Sequence, residues 1–342
     1  MIEFRKVESE STFLDPRKGF APTTVRFQVR VDPLTGRTCH FSHFGAIKPQ
    51  KLDLAGYHDP AVKGFCPFCP EHREKATPRF TPDIVPEGRL TQGEAFIIPN
   101  LFPYDIHSGV VVMSDDHVVG LRELTRERLR NAFALGIGFL RRIAATNGSL
   151  PYHLMTWNYM PPSGGGLVHP HQQYFATAHP GNQFMDELSA SQRFAERYRQ
   201  NYWYVLARRE AADNERYIAR LGSGHWMASF VSLGLLGEVM CVFPEVFSLD
   251  DFTDDDIDDL VAGLERVFRY YEDAGVFSFN ASLSFGPSDQ EHFSCYFRIV
   301  PRTFLNTRDF APDLNFFQAI LSEPICVVLP EDLCREVKPY FK

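Results

Sequence analysis

The residues able to do chemistry gather in two short motifs. The first is His169-Pro-His-Gln-Gln173, preceded by Gly164-Gly-Gly166. In an extended strand alternate side chains share a face, so His169, His171 and Gln173 line one side while Pro170 and Gln172 point off the other. Three polar side chains in a row make poor core. They suit either a solvent-facing edge strand, where a proline is tolerated, or a site. A neutral imidazole is a competent nucleophile toward phosphorus when its other nitrogen is fixed by a hydrogen bond, often to a backbone carbonyl. A glycine-rich turn beside it lets backbone N–H groups approach phosphate oxygens unobstructed. The second motif is Cys66-Pro-Phe-Cys69, followed by Pro70-Glu-His72. Two thiolates at that spacing suit a tetrahedral zinc site but do not close it. A redox pair would want a strand before and a helix after, whereas Pro67, Pro70 and Pro78 indicate loop. On its own the pair is compatible with a structural knuckle, a redox couple or no special role, and His72 is the nearest further ligand.

Positioning these motifs falls to 342 residues that are 44% hydrophobic and include 31 Phe, which excludes disorder and supplies a large core. Lys and Arg number 35 against 43 Asp and Glu, a net charge of −8. Such a chain has no overall attraction for nucleic acid or an anionic membrane surface, so any phosphate must be held by a local site. No apolar run reaches the length of a membrane span, and the charged opening Met-Ile-Glu-Phe-Arg-Lys lacks a signal-peptide core. With seven cysteines in all, scattered apart from the Cys66–Cys69 pair, a cytoplasmic protein with free or metal-bound thiols is expected.

A weak internal duplication organises the chain. Gly109-Val-Val-Val-Met-Ser114 and the helix signal from Leu124 recur 128 residues later as Gly237-Glu-Val-Met-Cys-Val242 and the signal from Phe252. Ile257, Leu260, Val261, Leu264, Val267, Phe268 and Tyr271 carry the apolar rhythm of a helix, started by Thr253 with Asp256 and stopped by Gly275. The first copy, about residues 126–145, repeats it and stops at Asn147-Gly148. Each helix leads to a strand (152–159; 277–285), a turn and a further strand (169–175; 292–297). In this alignment His169 falls on His292, His171 on Ser294 and His117 on Glu245, as one live and one silent site would. The expected fold is α+β, with tandem halves whose antiparallel sheets form half-barrels carrying one long helix each. The boundaries fall at 1–185, a helical connection at 186–220, and 221–342, with the first hundred residues in Pro-rich loops and short strands.

The ordered motifs resemble the galactose-1-phosphate uridylyltransferase branch of the histidine triad superfamily. Besides the two motifs above, Asp32-Pro-Leu-Thr-Gly-Arg37, Asn100-Leu-Phe-Pro103, Ser114-Asp-Asp-His117, Trp157-Asn158 and Glu291-His-Phe-Ser-Cys-Tyr-Phe-Arg298 resemble its segments in order over most of the chain. The resemblance implies a structural Zn2+ held by Cys66, Cys69, His117 and His169. His171 matches the nucleophile that forms a nucleotidyl-histidine, and Gln173 and Asn158 match donors to the phosphoryl oxygens. Asn100, Gly165 and Gly166 fall on substrate-contacting positions. The implied partners are a nucleotide sugar and a sugar phosphate or phosphate, with neither nucleic acid nor membrane, and a homodimer is compatible. The implied activity is nucleotidyl transfer from a nucleoside diphosphate sugar. Alternatives are a nucleoside polyphosphate or ADP-sugar phosphorylase or hydrolase and, from another class, a non-catalytic nucleotide-binding protein.

Departures concentrate at the base and sugar contacts. Gln172 stands where the uridylyltransferases have Gly, Gly166 where they have Ser, and Leu101 where they have Asp. His43 to Pro49 replaces an Arg-Pro pair. Only His292 remains of paired histidines at the family's second metal site, and Glu187, sixteen residues after His171, reads as an exposed helix carboxylate. Adenine therefore fits as well as uracil. Cys39, Cys241, Cys295, Cys326 and Cys334 read as buried small apolar residues.

Overall fold

The computed structural model describes residues 2–342 except 43, 44, 46, 50–53, 60–63 and 147, so His43 and Asn147 lie outside the described residues. Strands β1 (Arg5–Asp15), β2 (Ala21–Val31) and β3 (Thr38–Phe41) come first, then β4 (Leu90–Gln92), β5 (Ala95–Pro99) and β6 (His107–Val112). Helix α1 (Arg126–Thr146) leads to β7 (Tyr152–Tyr159) and β8 (His171–Thr177), and helices α2 (Asn182–Tyr198) and α3 (Tyr202–Asp213) follow. The second series is β9 (Tyr217–Leu221), β10 (Gly224–Ala228), β11 (Val239–Val242), α4 (Asp254–Ala274), β12 (Ser278–Phe285) and β13 (Tyr296–Arg302). Short strands β14 (Phe304–Asn306), β15 (Ala311–Pro312) and β16 (Ile325–Cys326) and helix α5 (Pro330–Val337) complete the chain.

The fold is α+β. Ten strands make one open antiparallel sheet in the order β4-β5-β6-β8-β7-β12-β13-β11-β10-β9, with no closed barrel. The two half-sheets meet where β7 pairs with β12, Tyr159 opposite Phe279 and His153 opposite Phe285. Helices α1 and α4 are each 21 residues long, starting at 126 and 254, at the spacing of the sequence repeat. Thr253 and Asp256 cap α4 reciprocally and Gly275 ends it at φ 80°, in the left-handed region.

The strand ladders correct the finer alignment of the repeat. Five residues separate α1 from β7 but only three separate α4 from β12, so the copies slip past each other after the helices. Gln173 pairs with Thr156 on β7, and Arg298 pairs with Ser282 on β12. Counted from the strand starts, Tyr296 and Arg298 occupy the places of His171 and Gln173. Ser294 precedes its strand and is no counterpart of His171. Val112 pairs with His171 and Val242 with Tyr296, so Phe247, not Glu245, stands as far past its strand as His117 does.

One face of the sheet is covered by α1, α4 and α5 in a single core that includes Leu129, Phe133, Leu140, Trp157, Leu264, Phe268 and Leu333. The opposite face is covered differently in each half. Cys66, Phe68 and Cys69 pack on Phe96, Ile98, Val110 and Val112 in the first. In the second, Phe184 and Leu188 of α2 and Trp203 and Leu206 of α3 pack on Met227, Met240 and Val242. Strands β1 and β2 pair over eleven positions, longer than the short strands expected, because both faces meet solvent and no apolar alternation marks them. Their register is held by polar pairs such as Arg26 with Glu10 and Thr12 with Thr24.

Each long helix carries a glycine where a buried ring of the sheet lies against it. A Cβ at Gly136 would come within 2.0 Å of the Tyr174 ring, and one at Gly263 within 2.0 Å of the Trp226 ring. Both rings are fully buried and have nowhere to retreat. Gly136→Ala and Gly263→Ala should therefore each destabilise the chain, by at least ~1–3 kcal/mol for overpacking, despite the better helix propensity of Ala. Chemical denaturation checks this. Gly138, with nothing near its Cβ direction, is the control expected to tolerate Ala.

Candidate active site and metal cluster

Strand β8 lies inside the sheet between β6 and β7, so the histidine motif is not on a solvent-facing edge. The strand begins at His171, two residues later than expected. His169 and Pro170 form its lead-in, where the Pro170 carbonyl accepts from the Met113 N–H at 3.1 Å and the missing proline donor costs no ladder bond. His169 and His171 nevertheless face the same way. The Phe68 ring touches both, at centroid distances of 5.9 and 5.3 Å.

His169 is fully buried and its Nε2–H donates to the Ser114 carbonyl at 2.8 Å. That bond requires the lone pair to sit on Nδ1, which lies 3.7 Å from the Sγ atoms of both Cys66 and Cys69. His117 Nδ1 is 3.4 Å from Cys69 Sγ. Ligand atoms of all four residues fall within 4.8 Å of one another. The sulfur–nitrogen edge of a tetrahedral zinc site is about 3.6 Å, from Zn–S near 2.3 Å and Zn–N near 2.1 Å. The donor set therefore fits a closed four-ligand ion, and the Ser114 carbonyl supplies the outer hydrogen bond that ligating histidines use. Burial pushes the Cys66 thiol up to about 11, a cost that a bound cation removes by holding the thiolate. His72 is not part of the cluster: its Nδ1 bonds the Cys66 carbonyl at 3.1 Å and its ring rests on Phe65.

The loop bearing His117 is tied to its surroundings by charge. Asp115 pairs with Arg73, whose guanidinium lies over the Phe96 ring at 5.2 Å, and Asp116 pairs with Arg128 of α1 at 2.6 Å. The cluster thus joins three separate pieces of chain at the start of β8.

His171 is half-buried, and its Nδ1–H donates to the His169 carbonyl at 2.8 Å. Nε2 is left with the lone pair. Burial pushes the imidazole below its ordinary range against the opposing effect of that hydrogen bond, which keeps the ring neutral at pH 7. Gln173 lies two residues on along the same face, opposite Thr156. The same register carried two residues further puts Asn158 opposite His171, on the adjoining strand and exposed. Gln172 points to the helix side, where its Oε1 accepts from the Tyr174 hydroxyl at 2.8 Å.

The glycine turn connects β7 to β8 and folds back over Asn158. A Cβ on Gly165 would sit 3.4 Å from the Asn158 carbonyl, whereas one on Gly166 would meet nothing within 4 Å, so the turn is open on the side of Gly166. Asn100 ends β5. Its Oδ1 accepts from the Phe102 N–H at 3.0 Å, which shapes a turn that exposes Leu101, Phe102, Tyr104 and Ile106. Tyr104 reaches Phe175, on the His171 face of β8.

Two features escaped the sequence. Glu187 is buried, not exposed: its carboxylate accepts from the Tyr296 hydroxyl and, at 3.1 Å, from Arg298, whose Nε is 3.0 Å from Glu238. An organic cation between two carboxylates thus fills the second half at the positions equivalent to His171 and Gln173. Asn280, across from Asn158, is hydrogen-bonded to it at 2.6 Å. Its position in the strand opposite Asn158 was the available signal.

No family model matches the chain. An uncharacterised protein of Archaeoglobus fulgidus is 28% identical over 312 residues, 91% of each chain. Among solved structures, a GalT-like protein of Arabidopsis thaliana aligns with a TM-score of 0.68 at 18% identity, over 91% of this chain and 98% of that one. An ADP-glucose phosphorylase of the same plant, with bound ADP-glucose, gives 0.69 at 17% identity over the same shares. A uridylyltransferase gives 0.63 at 20% identity, again over 91% and 98%. These likenesses establish that the chain has the GalT-like fold.

Cys66→Ser should lose bound metal and thermal stability together, while His72→Ala should retain the metal of the wild type. Elemental analysis of the purified variants beside their melting curves checks this. Equal metal content in Cys66→Ser and wild type would contradict the four-residue assignment.

Proposed function

We propose that this chain, which shares its fold with the GalT-like structures, transfers a nucleotidyl group from a nucleoside diphosphate sugar through His171. The observation that carries this reading is the hydrogen bond from His171 Nδ1–H to the His169 carbonyl, which leaves Nε2 as an unprotonated nucleophile on an interior strand. In the first step the Nε2 lone pair attacks the α-phosphorus. The bond from that phosphorus to the bridging oxygen breaks, its electron pair leaves with the sugar phosphate, and an Nε2–P bond forms. The proton stays on Nδ1, where the His169 carbonyl stabilises the positive charge that the ring acquires. In the second step an oxygen of a sugar phosphate or inorganic phosphate attacks the same phosphorus and Nε2 recovers its lone pair, which gives ping-pong kinetics.

Gln173, two residues on along the same face, and Asn158, opposite His171 on β7, would donate to the equatorial phosphoryl oxygens, where charge grows in each transition state. The backbone of Gly165 and Gly166 would take the remaining oxygens, and the turn from Asn100 would face the nucleoside. Cys66, Cys69, His117 and His169 would hold a structural Zn2+, which supplies no open coordination position and serves to fix the lead-in to β8. An ADP-sugar is the first donor to test, because Leu101 replaces the Asp of the uridylyl branch and a phosphorylase with bound ADP-glucose has this fold.

Incubation with ADP-glucose and UDP-glucose labelled at the α-phosphorus should leave acid-labile, alkali-stable label on the wild type and none on His171→Ala. Offering phosphate or a sugar phosphate should then discharge the label and identify the acceptor. His171→Gly with added imidazole should restore turnover by releasing a nucleotidyl-imidazole into solution. A protein that binds either nucleotide and never becomes labelled would support the non-catalytic alternative instead.

A further inference from the structure

We infer that Asn280, on the second half of the sheet, is a positioning residue that locks the Asn158 amide with its NH2 group turned to the phosphoryl site. This inference rests on the transfer reading above for its catalytic consequence, but its structural basis is independent. A buried Asp313 accepts from Arg302 at 2.6 and 2.9 Å through one oxygen and at 3.1 Å through the other, and that second oxygen also accepts from the Thr303 N–H. Arg302 Nη1 donates to Asn280 Oδ1 at 2.7 Å. Asn280 Nδ2 donates to the Ser163 carbonyl at 2.9 Å and to Asn158 Oδ1 at 2.6 Å.

Each link has one allowed direction. A guanidinium only donates and a backbone carbonyl only accepts, so the Asn280 amide has its oxygen toward Arg302 and its nitrogen toward Ser163 and Asn158. Asn158 must then offer its oxygen to Asn280. Strand β7 lies between β12 and β8, so the nitrogen of Asn158 is left for the side on which His171 stands. A free asparagine amide has no such preference. Turned over, it would present a carbonyl oxygen to phosphoryl oxygens and repel the charge it should stabilise. The relay therefore uses the half without the histidine pair to set the polarity of a donor in the half that has it.

Asn280→Asp tests this, because a carboxylate still pairs with Arg302 but can only accept from Asn158. The Asn158 amide should turn over, and the rate of His171 labelling by α-labelled ADP-glucose or UDP-glucose should fall by about 10²-fold, the usual loss for one such donor. The fall should appear in kcat with KM changed little. In the Asn158→Ala background the same substitution should cost nothing further, since Asn280 acts through Asn158. Side-chain amide exchange by NMR gives a readout that needs no substrate: slow for Asn280 and fast for Asn158 in the wild type, slow for Asn158 in Asn280→Asp. Asn280→Ala, which leaves Asn158 unrestrained, should fall between the two in labelling rate. Wild-type labelling with Asn280→Asp within twofold of it, or an equal loss in both backgrounds, would overturn the inference alone. A wild type that takes no label from either probe would overturn the transfer reading and the catalytic part of this inference together, while the exchange rates still decide the relay.

Discussion

The carbonyl of His169 is the point on which the site turns. It accepts the Nδ1–H of His171 at 2.8 Å, and its position is set by a side chain that cannot move. The His169 ring is gripped on Nε2 by the Ser114 carbonyl and faces the thiols of Cys66 and Cys69 on Nδ1. A ring fixed at both nitrogens fixes its own backbone, and that backbone fixes the tautomer of the residue two places on. Loosening of the cluster would free the Nδ1 proton of His171 to exchange positions with the Nε2 lone pair, which would remove the lone pair that the proposed reaction uses without touching His171 itself.

The two halves show alternative ways of covering the same sheet face. In the first, the short Cys66–Cys69 loop packs on Phe96, Ile98, Val110 and Val112, beside a Cys/His cluster whose geometry suits a metal ion. In the second, α2 and α3 bring Phe184, Trp203 and Leu206 to the equivalent face, and Arg298 sits between Glu187 and Glu238. Arg298 faces both carboxylates, and neither Tyr296 nor Arg298 offers a basic nitrogen. The candidate site and the equivalent positions of the second half thus differ in whether the central charges are already paired. The junction of β7 with β12 keeps the halves in register, which is why a residue of the second can reach Asn158 at 2.6 Å.

Much of this was legible in the sequence, for identifiable reasons. The helices from Arg126 and Asp254 were marked by apolar rhythm and, at Thr253, by a reciprocal cap. Cys66, Cys69, His117 and His169 converge as the resemblance implies, and each was readable because its motif is a short local run of residues. The hairpin of β1 and β2 was not legible, since a strand with both faces in water carries no period-two signal. Ser294 is not the counterpart of His171 because matching His169 to His292 sets an offset of 123, whereas the starts of β8 and β13 lie 125 apart, and a motif match carries no information on strand register. The burial of Glu187 is not legible in the sequence because its partners, Tyr296 and Arg298, lie more than a hundred residues away, and long-range pairing leaves no local trace.

A crystal structure of the wild type soaked with ADP-glucose, recorded with anomalous data at the zinc edge, tests the central claim most directly. The account predicts one zinc peak within bonding distance of Cys66 Sγ, Cys69 Sγ and the Nδ1 or Nε2 atoms of His117 and His169, and continuous density from His171 Nε2 to the α-phosphorus. Zinc bound to Nε2 of His171, or a phosphorus atom bonded to any other side chain, would contradict it.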